Sequence, residues 1–136
     1  GHSCALGSDG SVTCWGYNDD GRADAPAGSF IAVSAGGGHS CALGSDGSVT
    51  CWGYNDDGRA DAPAGSFIAV SAGGGHSCAL GSDGSVTCWG YNDDGRADAP
   101  AGSFIAVSAG GGHSCALGSD GAVTCWGYRR SYHPPS

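Results

Sequence analysis

Lysine, glutamate, glutamine and methionine do not occur among the 136 residues. All four are good helix formers, and their loss beside 28 glycines and five prolines leaves little from which to build helices. No apolar run approaches the roughly 18 residues that a helical membrane span requires. No Asn-x-Ser/Thr sequon is present, which excludes N-glycosylation. There is neither a Cys-x-x-Cys knuckle nor a Gly-x-Ser-x-Gly elbow. Positive charge is also scarce, since the only basic residues besides His are five Arg against 13 Asp, for a net charge of −8. A surface this acidic repels phosphate backbones and anionic lipid, so nucleic acid is not an expected partner. Arg129 and Arg130 are too few to form a basic tract. The chain opens at Gly1 in mid-motif, with no initiator Met and no signal peptide. That is expected of a processed or excised chain, so the missing leader does not count against secretion.

Repetition is what the sequence does contain. The 37 residues GHSCALGSDGSVTCWGYNDDGRADAPAGSFIAVSAGG fill positions 1–37 and return unchanged at 38–74 and 75–111. A fourth copy begins at Gly112, carries Ala122 in place of Ser, and follows the pattern to Tyr128 before the tail RRSYHPPS at 129–136. A unit of this size cannot bury a core alone, so the chain reads as an array of stacked units.

Within one repeat, HSCALGSDGSVTCWG sets two short apolar stretches on either side of Gly-Ser-Asp-Gly, the chemistry of a hairpin turn. With Ser8-Asp9-Gly10 as a three-residue loop and Gly10 left-handed, Gly7 faces Ser11, Leu6 faces Val12, Ala5 faces Thr13 and Cys4 faces Cys14. The following YNDDGRADAPAGS is polar loop, and Pro26 argues against a central strand there. Phe30, Ile31 and Val33 then predict a short strand that ends in glycines. The unit is all-β, with three or four short strands. Such units stack as a solenoid or fan out as propeller blades; 37 residues exceeds the roughly 20–30 of a solenoid coil and favours an antiparallel blade.

His2-Ser3-Cys4-Ala5-Leu6, Asp9-Gly10-Ser11-Val12, Trp15-Gly16-Tyr17-Asn18, Gly21 and Ala35-Gly36-Gly37 resemble the repeat of the regulator of chromosome condensation family. GRADAPAGSFIAVSAGG resembles in particular the abbreviated repeat found in β-lactamase inhibitory protein II. The resemblance covers residues 1–128 and implies a β-propeller, commonly seven-bladed. Arg22, Ala23 and Asp24 depart from the family's usual residues, and nothing matches the insertions by which one branch binds its nucleotide-exchange partner.

The eight cysteines fall into four pairs: Cys4/Cys14, Cys41/Cys51, Cys78/Cys88 and Cys115/Cys125. The hairpin register sets the members of each pair opposite one another. Disulfides within each hairpin are expected ahead of two alternatives, reduced core thiols and a metal site built on His2, Cys4 and Cys14. Each bridge closes a loop of about 11 residues, worth roughly 3 kcal/mol by chain entropy. Disulfides imply an extracellular or periplasmic location. His2 itself reads as a hairpin-end residue bonded to neighbouring backbone.

YNDDGRAD has the acidity of a calcium loop, but position one would fall on Gly16 and no Glu exists for the twelfth position. An acidic, solvent-facing loop is expected, with a weak site shared between blades as the alternative. Ser3, His2 and Asp9 recur in every copy and so lack the single asymmetric pocket of a triad. No catalytic residue, cofactor or metal is expected. Trp15, Trp52, Trp89 and Trp126 are expected to wedge between blades. The candidate binding positions are Tyr17, Asp19, Asp20 and Arg22, with their counterparts Tyr54, Asp56, Asp57, Arg59, Tyr91, Asp93, Asp94 and Arg96.

Four hairpins with three following strands cannot close a seven-bladed ring, and an open array leaves two apolar faces bare. The fourth unit is expected to lack its FIAVSAGG strand and to take one from another chain. The expected architecture is therefore an incomplete ring of blades completed by oligomerisation, with the chain itself as first partner, head to tail or in a ring, and another extracellular protein as a further one. The leading function is a secreted, non-enzymatic scaffold or protein-binding propeller. A structural subunit of a filament or surface layer comes second. An inhibitor of a secreted enzyme such as a β-lactamase comes third, because identical loops suit a unique partner poorly.

Overall fold

The structure, a computed structural model, describes residues 2–16, 18, 21, 24–55, 58, 60–92, 95 and 97–127. The described residues form four small antiparallel sheets and no helix. The first is a hairpin of β1 (His2–Leu6) and β2 (Val12–Gly16). The second joins β3 (Phe30–Ala35), β4 (His39–Gly44) and β5 (Val49–Gly53). The third joins β6 (Phe67–Ala72), β7 (His76–Gly81) and β8 (Val86–Gly90). The fourth joins β9 (Phe104–Ala109), β10 (His113–Gly118) and β11 (Val123–Gly127).

The turn of each hairpin sets its register. Gly7 N–H donates to Ser11 O at 2.8 Å and Gly10 N–H to Gly7 O at 3.0 Å. Gly10 and its equivalents Gly47, Gly84 and Gly121 have φ of 87°, 88°, 88° and 86°, where a side chain would be strained. Since Gly7 and Ser11 form a hydrogen-bonded pair, alternation along the antiparallel ladder makes Cys4 and Cys14 a non-hydrogen-bonded one, in which the strands lie closest. Their Cα atoms are 4.1 Å apart and the sulfurs are bonded; Cys41–Cys51, Cys78–Cys88 and Cys115–Cys125 repeat the arrangement. No cysteine is free.

Each three-stranded sheet straddles a repeat boundary. β3 belongs to the first sequence repeat but pairs with β4 of the second, Ala35 opposite Ser40. The reason is chain length: only Gly36-Gly37-Gly38 separate the two strands, and Gly36 N–H closes the turn on His39 O at 2.7 Å. A return to β2 would instead require the long polar loop. The expectation that the fourth hairpin lacks its strand is therefore corrected. β9 completes that sheet, and the first hairpin is the two-stranded one. Ile31 stands in a bulge between Phe30, which pairs with Gly44, and Ala32, which pairs with Leu43. The extra residue turns Phe30 inward, where it is buried, and leaves Ile31 exposed.

Neighbouring sheets pack through two clusters. Leu43, Phe67 and Ala79 are buried together with Val49 and Trp89 against them. Cys78, Leu80, Val86, Phe104 and Ala116 form the next, with Trp126 against them. Burying one such Leu or Phe is worth about 1.5–3 kcal/mol, a large share of what a 37-residue unit commands. The first strands of successive sheets are also tied by hydrogen bonds. Ala72 N–H donates to Ser34 Oγ and Ala109 N–H to Ser71 Oγ, both at 3.0 Å. Gly37 N–H donates to Gly73 O at 2.9 Å and Gly74 N–H to Gly110 O at 3.0 Å.

The glycine contacts and the disulfides each generate an expected outcome. A Cβ on Gly37 would lie 2.6 Å from Gly74 O, whereas one on Gly111 would meet nothing within 4 Å. Gly37→Ala is expected to cost about 1–3 kcal/mol in urea unfolding by overpacking, and Gly111→Ala, at the equivalent position two repeats on, well under that. Cys41 and Cys78 are fully buried, while Cys125 is exposed. Under limiting reductant Cys115–Cys125 is expected to open first, read by alkylation and mass spectrometry. Equal labelling of all four pairs would contradict that order.

Candidate functional site

Two repeated features carry the polar chemistry: the loop that follows each hairpin, and the contact between one hairpin and the next. At the loop, Tyr54 N–H donates to Gly38 O and Tyr91 N–H to Gly75 O, both at 2.8 Å, which extends each hairpin by one rung. The two Tyr residues are each 37% exposed. Beyond them an Asn gathers the loop. Asn55 Nδ2 donates to Asp61 Oδ1 at 2.7 Å, and Asn55 Oδ1 accepts from Ala60 N–H at 2.8 Å. Asn92 does the same with Asp98 and Ala97, both at 2.7 Å, and Asn18 with Asp24 at 2.8 Å. The third Asp of each acidic stretch is thus a tether of the loop. The other candidates, Tyr17, Asp19, Asp20, Arg22, Asp56, Asp57, Arg59, Asp93, Asp94 and Arg96, lie outside the described residues.

At the hairpin tip Asp9 Oδ1 accepts from the Ser11 hydroxyl at 2.7 Å and from Ser11 N–H at 3.0 Å. Asp46 and Asp83 bind Ser48 and Ser85 in the same way. The hydroxyl first, and then the backbone N–H, hold all three carboxyls below the usual carboxylate range. These Asp residues are turn formers: Asp9 is fixed at the tip, while His2 turns to the next hairpin, so no triad is assembled with Ser3.

Between hairpins the structure places a contact that sequence reasoning missed. His2 was expected to bond neighbouring backbone; instead its Nε2 shares a hydrogen bond of 2.6 Å with Ser40 Oγ of the next hairpin. His39 and Ser77, and His76 and Ser114, repeat the bond at 2.6 Å across the next two junctions, with all four residues fully buried. Each Ser Oγ also lies 3.4 Å from a bridged sulfur, Cys4, Cys41 or Cys78. A bridged sulfur has no proton, so it can only accept in that contact, and the direction of the shorter His–Ser bond follows the imidazole tautomer. The signal was present in the dipeptide His-Ser. In a strand the two side chains point to opposite faces, so each hairpin shows His forward and Ser backward, and stacked copies bring them together.

This arrangement matches solved propellers. The CRINKLY WD40 ectodomain of the Arabidopsis thaliana receptor kinase ACR4 is 32% identical, with a TM-score of 0.77 over 93% of this chain and 46% of that one. The ectodomain of the Physcomitrella patens receptor kinase CR4 is 32% identical, with a TM-score of 0.79 over 93% of this chain and 38% of that one. Prp20p of Saccharomyces cerevisiae shares the fold at 20% identity, with a TM-score of 0.81 over 93% of this chain and 43% of its own. The chain thus spans less than half the length of these structures. No curated protein sequence matches it. The family model for the regulator of chromosome condensation (RCC1) repeat matches residues 1–22, 30–59, 67–96 and 104–131, and with its blades built as that match requires, the chain belongs to the RCC1 repeat family.

Proposed function

We propose that this chain is a secreted, non-enzymatic, protein-binding propeller segment that associates with further copies of itself through its outer blade faces. One observation carries the reading: Ser40, Ser77, Ser114, Ala42, Ala79 and Ala116 are buried against the preceding hairpin, whereas their equivalents Ser3 and Ala5 on the first hairpin are exposed, and on the opposite face of the last hairpin a Val is uncovered. Val86 is 9% exposed, and its equivalent Val123 is 67% exposed. Four disulfides with no free cysteine support an oxidising compartment, as does the likeness to two receptor ectodomains. The half-exposed Tyr54 and Tyr91, displayed at the same rim one repeat apart, suit a protein partner with a repeated epitope.

A filament or surface layer is the second reading. It is favoured by the same two faces, because a contact between unlike faces extends without limit unless its rotation closes. Inhibition of a secreted enzyme rests on the short-repeat resemblance alone, and rims that repeat residue for residue do not favour it.

Light scattering behind size-exclusion chromatography, run under oxidising conditions across the micromolar range, tests self-association. The expected result is a mass that climbs with concentration above the 13.2 kDa of one chain. A monomer mass at every concentration overturns it.

A further inference from the structure

The three internal junctions repeat one contact between unlike faces. A hairpin's forward face presents His, Cys and Leu of its first strand with Val of its second. The backward face of the next presents Ser and Ala with Trp. Between the second and third hairpins Leu43 and Val49 meet Ala79 and Trp89, under the bond from His39 to Ser77. Between the third and fourth, Leu80 and Val86 meet Ala116 and Trp126, under the bond from His76 to Ser114.

Both halves of this contact are also present where none of the described residues covers them. On the forward face of the fourth hairpin His113 and Val123 are exposed, and Cys115, Leu117, Val123 and Val107 border an apolar groove of ≈ 190 Å³. On the backward face of the first hairpin Ser3 and Ala5 are exposed, whereas Ser40, Ala42, Ser77 and Ala79 are fully buried. Trp15 is 55% exposed there, whereas Trp89 and Trp126 are half-buried against their clusters.

We propose that a second copy of this chain covers the forward face: Ser3, Ala5 and Trp15 of the next copy seat on His113, Leu117 and Val123, with His113 bonding Ser3 and Trp15 lying over Val123 in the groove. The inference rests on the self-association above and gives it a polarity and a set of residues. The occupant is identified by identity of contact. The strands HSCAL and VTCWG are the same in all four hairpins, so the first hairpin carries the face that the chain itself uses three times. Neither strand bears a charged residue, so the net charge of −8 is not brought into the joint. Like faces do not fit: two forward faces offer the groove without a Trp to fill it. The joint also lacks a counterpart of Phe67 or Phe104, because the first hairpin has no third strand, and it is therefore weaker than an internal junction.

Ala5→Arg blocks the backward face and Val123→Arg the forward face, both at exposed positions. Thr124→Arg, exposed and turned away from Val123, is the control. Circular dichroism and the non-reduced mass report that each variant retains its strands and four disulfides. Each blocked variant alone is expected to run as a monomer where the unchanged protein associates, and Thr124→Arg to associate as the unchanged protein does. An equimolar mixture of the two blocked variants is expected to give a dimer and nothing larger, since one free face of each kind remains. If the unchanged protein associates and either blocked variant still does so alone, or their mixture stays monomeric, this joint is overturned while self-association stands. If the unchanged protein is itself monomeric, both fall.

Discussion

The bond from His to the Ser one hairpin ahead is the constraint on which the array depends. A buried imidazole and a buried hydroxyl each cost free energy if left without a partner, and each hairpin carries both on opposite faces. They cannot bond each other within one hairpin, because adjacent residues of a strand point apart. Stacking in one direction brings the two together, with His39 Nε2 2.6 Å from Ser77 Oγ. Around that polar link the rest follows with little freedom. Leu43 and Val49 lie on the His side and meet Ala79 and Trp89 on the Ser side, and the glycines of the inner turn allow the main chains of successive blades to approach within hydrogen-bond distance.

The disulfides act on a different level of the same structure. They restrain each hairpin independently of its neighbours, by closing a loop that contains a single tight turn. That restraint suits a stack with so few large apolar side chains, because the entropy of ordering each face is reduced. The bridged sulfur then enters the junction itself: Cys41 lies beside the Ser77 hydroxyl that His39 holds. Covalent closure within a blade and polar linkage between blades thus meet at one point.

Much of this was legible in the sequence, and what was not has a physical reason. The hairpin register, including the facing of Cys4 and Cys14, was readable because Ser8-Asp9-Gly10 admits one loop geometry and strand periodicity does the rest. Which hairpin the FIAVSA strand joins was not readable from the repeat, since a tandem sequence has no natural starting point. The answer lies in the three-glycine link to His39, too short to allow any other partner. His2 was misread for a related reason: its partner Ser40 is distant in sequence, and its role emerges only once a second copy is stacked on the first. Of the candidate loop positions, the two that the structure describes, Tyr54 and Tyr91, are partly exposed.

Exact repetition imposes a condition on such a unit that a diverged propeller escapes. In a diverged array each junction is a private match between two different faces. Here a single sequence must supply both sides of every junction, so the forward face has to be the complement of the backward face of the same hairpin. Any change on one face is tested at every joint at once, which ties the two faces together more tightly than stability of one blade would. Ala122 is consistent with that condition. It replaces a Ser at the hairpin tip, where Ser11, Ser48 and Ser85 are exposed and bond only their own turn, and it leaves both stacking faces as they were. The one departure within the copies falls where the joint does not reach.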